Sequence, residues 1–216
     1  MNHQFGHIAK TFYNQDLLNL AKNLLNKLLI IKQDQEIIVN KIVEVEAYGH
    51  NDRASHSYQN KKTKRNQSMF LSGGHIYVYL IYGIHHCLNI VSGPENQGEG
   101  ILIRAIESIS HNLTTNGPGK LTKALKITKA HDGVDLKSHE NIFLAPNPNE
   151  NKKQIIKQFN LIKQTNNYDV WQDKKTKQKI IATPRININY AGEDKHLRWR
   201  FLLKDNQFVS RKIKID

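Results

Sequence analysis

Residues 76–83 read IYVYLIYG, a strand-like run, and how it is read decides the fold. A strand alternates its side chains, so Tyr77 and Tyr79 share one face while Val78 and Leu80 point to the other. Aliphatic residues would be the ordinary filling of a core face, and phenols in their place ask for another use. Tyr82 has the opposite parity and stands directly before Gly83, where a bend can carry its side chain outward. The chain continues as LNIVSG, a Gly-rich turn PENQGEG and a further strand ILIRAI, so the tyrosine run opens a set of short strands joined by turns.

Working outward, EIIVNKIVEVEAY upstream reads as a long strand entering a hairpin or a sheet edge. Before it, Asn14–Leu29 places Leu17, Leu18, Ala21, Leu24, Leu25 and Leu28 at helical spacing, with Asn14 as the N-cap. Gly49–Asn66 is polar and basic around Lys61, Lys62, Lys64 and Arg65, so it is expected as an exposed loop. NGPGKLTKALKI places Gly119 and Lys120 at the start of a short amphipathic helix. Residues 146–179 are rich in Asn, Gln and Lys and are expected as a basic insertion carrying an amphipathic helix around Gln154–Ile162. IIATPRININY and LRWRFLL restore strand patterning, and a closing strand is expected near the C-terminus. With no repeats or heptads, the sum is one α+β domain over residues 1–216, built on a largely antiparallel sheet.

Composition narrows the partners. The 216 residues carry a net charge of +13 and a pI near 9.7, which favours a polyanion such as nucleic acid or a membrane surface. No apolar run approaches spanning length, and MNHQFGHIAK lacks the pattern of a signal peptide, so a membrane partner is not expected and the cytoplasm is the expected compartment. A single cysteine, Cys87, excludes an internal disulfide and reads as a small buried hydrophobe.

Chemistry enters on the strand KIVEVEAY, where Glu44, Glu46 and Tyr48 share one face and Val43, Val45 and Ala47 the other. A half-solvated polar face is the plain reading. On a surface built to hold a polyanion, however, a carboxylate repels the ligand unless it has work there, and a strand-borne Glu can act as a general base with Arg104 of ILIRAI as its cationic partner. His50, His56, His75, His85 and His86 cluster in sequence, but no HExxH or paired CxxC pattern accompanies them, so no metal site is expected. His56 reads instead as a donor to a base edge. Tyrosines beside a basic surface can stack nucleobases, a contact worth about 1–3 kcal/mol.

EVEAY, ASHS, RNQSMF, YVYLIYGIHHCLNI, ILIRAIES, NGPGKLTKAL and PRININYAGE, in this order and spacing, resemble the alkyladenine DNA glycosylases, also called methylpurine or 3-methyladenine DNA glycosylases, of the single-domain, non-helix-hairpin-helix type. The resemblance implies a curved, largely antiparallel sheet with a hairpin that projects into DNA. It implies excision of alkylated or deaminated purines from double-stranded DNA by a monomeric, monofunctional glycosylase without metal or redox cofactor. By position, Glu46 matches the general base and Arg104 the arginine that helps hold the attacking water; Tyr48, His56 and Tyr79 match the base pocket, Asn89 a residue at the purine's minor-groove edge, and Tyr82 the intercalating wedge. Glu44 is expected to be a bystander, so that Glu44→Gln behaves nearly as the parent. ININY is expected as a strand bordering the pocket, with Asn187, Asn189 and Tyr190 narrowing it where the family often has glycines. The alternative is a non-catalytic nucleic-acid binder of the same fold.

Overall fold

The run EIIVNKIVEVEAY forms one long strand, β2 (Glu36–Tyr48), and the sheet is organised on it. The computed structural model describes residues 5–149 and 156–214. Among these, ten strands join in one open sheet whose pairings are all antiparallel. The main path runs β3 (Ile76–Ile81), β4 (His85–Val91), β5 (Gly100–Ser108), β2, β10 (Arg200–Leu203), β9 (Lys179–Thr183), β8 (Asp169–Asp173), β7 (Phe159–Gln164). Off this path, β1 (Leu28–Gln33) pairs with the first half of β2 and with β6 (Ile142–Ala145). One edge of β2 therefore serves β5, while β1 and β10 divide the other. Helices α1 (Leu17–Leu24) and α2 (Pro118–Ala124) cover one face, burying Leu20, Leu24, Leu121 and Leu125 against Val43, Val45 and Ile103. The fold is α+β, as the alternation of short strands and two amphipathic segments led us to expect.

A change of parity in β2 places the chemistry. Ile38 and Ile42, at even positions, face the main core, while Val39 packs on the opposite side with Leu28, Ile30 and Phe143. Register shifts against β5 lie between Ile42 and Glu44 and between Glu44 and Val45. Beyond these bulges the odd residues Val43, Val45 and Ala47 face the core. A bulge inserts one unpaired residue and re-aims the side chains beyond it. Without it, Glu44 and Glu46 would be driven into the aliphatic core; with it, they join the face carrying Arg104 and the tyrosines.

Several expectations are corrected. The helix covers Leu17–Leu24 only and is capped by Asp16, not Asn14; the Asp16 carboxylate accepts the Asn19 N–H at 3.0 Å. Asn26 takes a left-handed φ of 71°, and Leu28 enters β1, paired to both Lys41 and Ala145. The leucines of LLNKLL suit either period, and two flanking strands settle it. Part of the helix expected at 154–162 lies outside the described residues; within them, Phe159–Gln164 is the edge strand β7, exposed along most of its length and bulged between Leu161 and Lys163. A twisted, lysine-bearing edge is a common guard against edge-to-edge pairing. The loop at 49–66 is not exposed throughout: Asn51, Arg53, His56 and the basic stretch 61–65 are exposed, while Asp52, Ala54, Ser57 and Asn66 are buried. ININY is not a strand: residues 184–188 are irregular and a 3-10 segment follows at Asn189–His196. Among the described residues no strand follows Leu203.

Candidate active site

Glu46 has no exposed surface, yet its carboxylate is not saturated. Oε1 accepts the Ile186 backbone N–H at 2.8 Å, and Oε2 accepts the Tyr48 hydroxyl at 2.7 Å and Arg104 at 3.2 Å. A carboxylate offers about four acceptor positions, so one remains on Oε1. Glu44 differs: it accepts Arg104 Nε at 3.2 Å, Arg200 Nε at 2.7 Å, the Ser210 hydroxyl at 2.9 Å and the Ser210 backbone N–H at 2.5 Å. Three of these donors meet Oε1 and one meets Oε2, so Glu44, itself outside the pocket lining, does not stand on a free polar face as expected but is tied to Arg104, Arg200 and Ser210. A buried carboxylate held by two guanidinium groups is part of the frame.

Arg104 divides its guanidinium between the two carboxylates, at 3.2 Å to each. Burial acts against its charge, but Glu46 and Glu44 outweigh that and raise its pKa, so it stays a fixed cation. Burial, and then the neighbouring Glu46 charge, push the Tyr48 phenol well above its usual range. Tyr48 is thereby a donor to Glu46, never an anion beside it. The back of the Tyr48 ring rests on Arg185, whose guanidinium is 4.8 Å from the ring centroid and 5.3 Å from that of Trp199. Arg185 is itself buried and ion-paired with Asp52.

Above this layer lies a pocket of about 340 Å³. Tyr48, His56, Tyr79, Asn89, Arg104 and Tyr82 all line it, which brings six of the seven residues singled out in the sequence to one cavity. The seventh, Glu46, lies just beneath the lining, and its three donors Tyr48, Arg104 and Ile186 all belong to that lining. His56 and Tyr79 meet edge to face with centroids 4.5 Å apart, and His56 Nδ1 is 2.9 Å from the hydroxyl of the buried Tyr77. Partial desolvation in the pocket wall, then the charge of Arg65, lowers the His56 pKa, so the ring is neutral near pH 7. Asn89 spends its amide N–H groups on the carbonyls of Tyr77 (3.1 Å) and Cys87 (3.3 Å), leaving its own carbonyl oxygen as the free polar group. Cys87 is buried, as its apolar setting suggests, and burial raises its pKa. Among the described residues no three His, Cys, Asp or Glu side chains gather to hold a metal ion.

The β3–β4 hairpin forms one wall. Its turn is closed by the Ile84 N–H on the Ile81 carbonyl at 3.3 Å, with Tyr82 and Gly83 between them at φ 54° and 71°. Left-handed backbone is easy for glycine and costly for a bulky residue. The turn spends that cost on a tyrosine 78% exposed, next to Ile84 at 72%. Exposed aromatic surface on a strained turn is a feature that recurs at contact sites.

Sequence reasoning missed four groups: the Ile186 N–H, Arg185, Arg200 and Ser210. A backbone donor leaves no trace in residue type. Arg200 does carry a signal, since it stands between apolar residues in RWRFLL, where a solvated face is not expected.

Fold and site together define a class: an open antiparallel sheet protein that keeps a carboxylate–arginine pair beneath an aromatic pocket, flanked by a hairpin with an exposed tyrosine. The family model for methylpurine-DNA glycosylase (MPG) matches residues 11–207. The chain belongs to that family. It is 42% identical over 208 residues to a protein of Borreliella burgdorferi (strain ZS7), covering 93% of this chain and 98% of that one. It is 37% identical over 227 residues to a protein of Clostridium novyi (strain NT), covering 95% and 98%. Both relatives carry the name "Putative 3-methyladenine DNA glycosylase". No helix among the described residues is long and apolar enough to cross a membrane.

Proposed function

We propose that the chain is a monomeric, monofunctional DNA glycosylase that flips alkylated or deaminated purines out of double-stranded DNA and hydrolyses the N-glycosidic bond, leaving an abasic site. The observation that carries this reading is the one unspent acceptor position on buried Glu46, set under an aromatic pocket between Arg104 and Tyr48. A water held at that position gives its proton to Glu46 as its oxygen bonds to C1′ of the deoxyribose. The C1′–N9 bond breaks and its electron pair leaves on the purine. A purine methylated at N3 or N7 is cationic, so that pair neutralises it and no acid is needed; a neutral deaminated purine departs as its anion and takes a proton from solvent water. Arg104 orients Glu46 and sets a fixed positive charge beside it. No covalent enzyme intermediate forms, so strand cleavage at the abasic site is not expected.

Reaching the bond requires extrusion of the base, which costs a few kcal/mol of stacking. Tyr48 and Tyr79 return stacking to the extruded purine, His56 addresses its edge, and Tyr82 fills the vacated step as a wedge. The acceptor oxygen of Asn89 faces the purine's minor-groove edge. A pure binder would gain nothing from burying a carboxylate with an open acceptor position here, which disfavours the non-catalytic alternative. The test is alkali-dependent strand scission in duplexes carrying 3-methyladenine, 7-methylguanine, hypoxanthine or ethenoadenine. Scission of none of them, with binding intact, would transfer the case to the binder.

Two further outcomes arise from the pocket. Tyr82→Ala is expected to weaken binding of a lesion duplex by roughly tenfold, the loss of about one stacking contact. The fold should be unchanged, because the side chain is solvent-exposed; fluorescence anisotropy with a circular dichroism control measures both, and parental affinity would remove the wedge assignment. His56 sets the acid side of binding. Because partial desolvation in the pocket wall and then Arg65 lower its pKa, the neutral ring persists to a lower pH than a free histidine, whose ordinary value is 6.5. Affinity for a cationic lesion should therefore hold as pH falls through that value and weaken only below it, when an imidazolium meets a cationic base. A titration of affinity that bends at or above the ordinary histidine value would contradict this.

A further inference from the structure

We propose that the C-terminal segment at Ser210–Arg211 is a strap that positions Arg104 through Glu44 and Arg200, so that Glu44, Arg200 and Ser210 are positioning residues for the site. These residues form an alternating chain of charge, Glu46–Arg104–Glu44–Arg200, that ends on the segment: Arg200 Nη2 donates to the Arg211 carbonyl at 2.6 Å, and Ser210 donates to Glu44 through both its hydroxyl and its backbone N–H. Apolar contacts anchor the segment on either side. Val209 is buried with Leu202, Ile181 and Tyr168, and Ile213 packs on the same cluster. Ser210 and Arg211 lie beyond residue 207, where the family match ends.

The physical logic is a competition. Arg104 bonds Glu44 and Glu46 at equal distance, so whatever satisfies Glu44 elsewhere releases Arg104 to Glu46. Ser210 and Arg200 satisfy Glu44. The other titratable groups that feel Glu46 are Tyr48, Tyr79, Cys87 and Tyr190, all held neutral by burial, and the cation behind Tyr48, Arg185, is paired with Asp52, so Arg104 and Arg200 are the cations that bond the two glutamates.

This inference rests on the proposed function, and its signs make it testable. Glu44→Gln removes the competing charge, gives Arg104 wholly to Glu46 and should move the acid limb of the pH–rate profile down by about one unit. Base release on the plateau should fall roughly 10- to 100-fold as the arginine loses its second anchor. Ser210→Ala, a mild change at a half-buried hydroxyl, leaves Glu44 less satisfied, draws Arg104 away from Glu46 and should move the same limb up by a few tenths of a unit. General loss of structure cannot shift the limb in opposite directions. Hydrogen exchange of the Arg104 Nε–H, followed by NMR, reads the Glu44 contact without activity and should quicken in Glu44→Gln. If Glu44→Gln fails to fold, Ser210→Ala decides alone. An unmoved limb in Ser210→Ala, or shifts of the same sign in both, overturns the strap. A parent with no base release but a protected Arg104 Nε–H that Glu44→Gln exposes would instead sink the function while sparing the network.

Discussion

Glu46→Gln is expected to lower base release by about two or more orders of magnitude, the usual scale for a general base. An amide cannot take the proton of the attacking water at neutral pH, so the step that forms the C1′–O bond loses its acceptor. The substitution is not silent in the fold. Glu46 accepts from the Ile186 N–H on one oxygen and from Tyr48 and Arg104 on the other. Glutamine can face its carbonyl to only one side, and its NH₂ group then meets a donor. A buried donor left unmatched costs about 1–3 kcal/mol. The thermal midpoint should fall by several degrees while binding of a lesion duplex persists, since the aromatic walls are untouched. Glu44→Gln is no control for this experiment, because Glu44 is wired to Arg104. Glu95, exposed on the turn before β5, is a suitable one. Single-turnover release at the parental rate in Glu46→Gln would remove the catalytic assignment.

Much of this site is legible in the sequence because strands make parity visible. EVEAY aligns Glu44, Glu46 and Tyr48, and IYVY aligns Tyr77 with Tyr79; both alternations hold in the folded chain. Tyr82 before Gly83 announces a turn, and the turn is there. Parity fails where the pairing shifts. Nothing in NKIVEV marks the bulge near Glu44, yet that bulge decides which face receives the glutamates. Periodicity misleads for LLNKLL and for residues 159–164, where strand partners distant in sequence overrule a helical pattern. The supporting arginines and Ser210 are illegible for a related reason: Ser210 meets Glu44 across 166 residues, a proximity set by topology alone. The unequal loading of the two carboxylates, four donors on Glu44 against three on Glu46, likewise exists only after folding.

Arg104→Ala should show the largest combined loss, in stability and in rate. Glu44 would keep Arg200 and Ser210, but Glu46 would keep only the Tyr48 hydroxyl and the Ile186 N–H, both uncharged. A fully buried carboxylate without a cation is the expensive half of a broken ion pair, and such breaks cost about 3–5 kcal/mol. Arg104 has 11% of its side chain exposed and Glu46 none, so solvent screening offsets little of that loss. The protein can shed part of the cost by protonating the orphaned carboxyl, since burial disfavours the charged form. That escape silences the base. Base release near neutral pH should therefore drop by about 100-fold or more, and should recover in part as pH rises and the proton leaves. Stability should respond oppositely: the variant loses ground relative to the parent as pH rises, because there the unpaired charge must be carried in the buried site. Arg104→Lys keeps a cation but cannot reach both carboxylates with a rigid fork, so it should regain most of the stability and only part of the rate. Chemical denaturation and single-turnover release measured across pH on the three proteins give the answer. A rate deficit in Arg104→Ala that does not shrink with rising pH would show that the arginine acts on the substrate, not on Glu46.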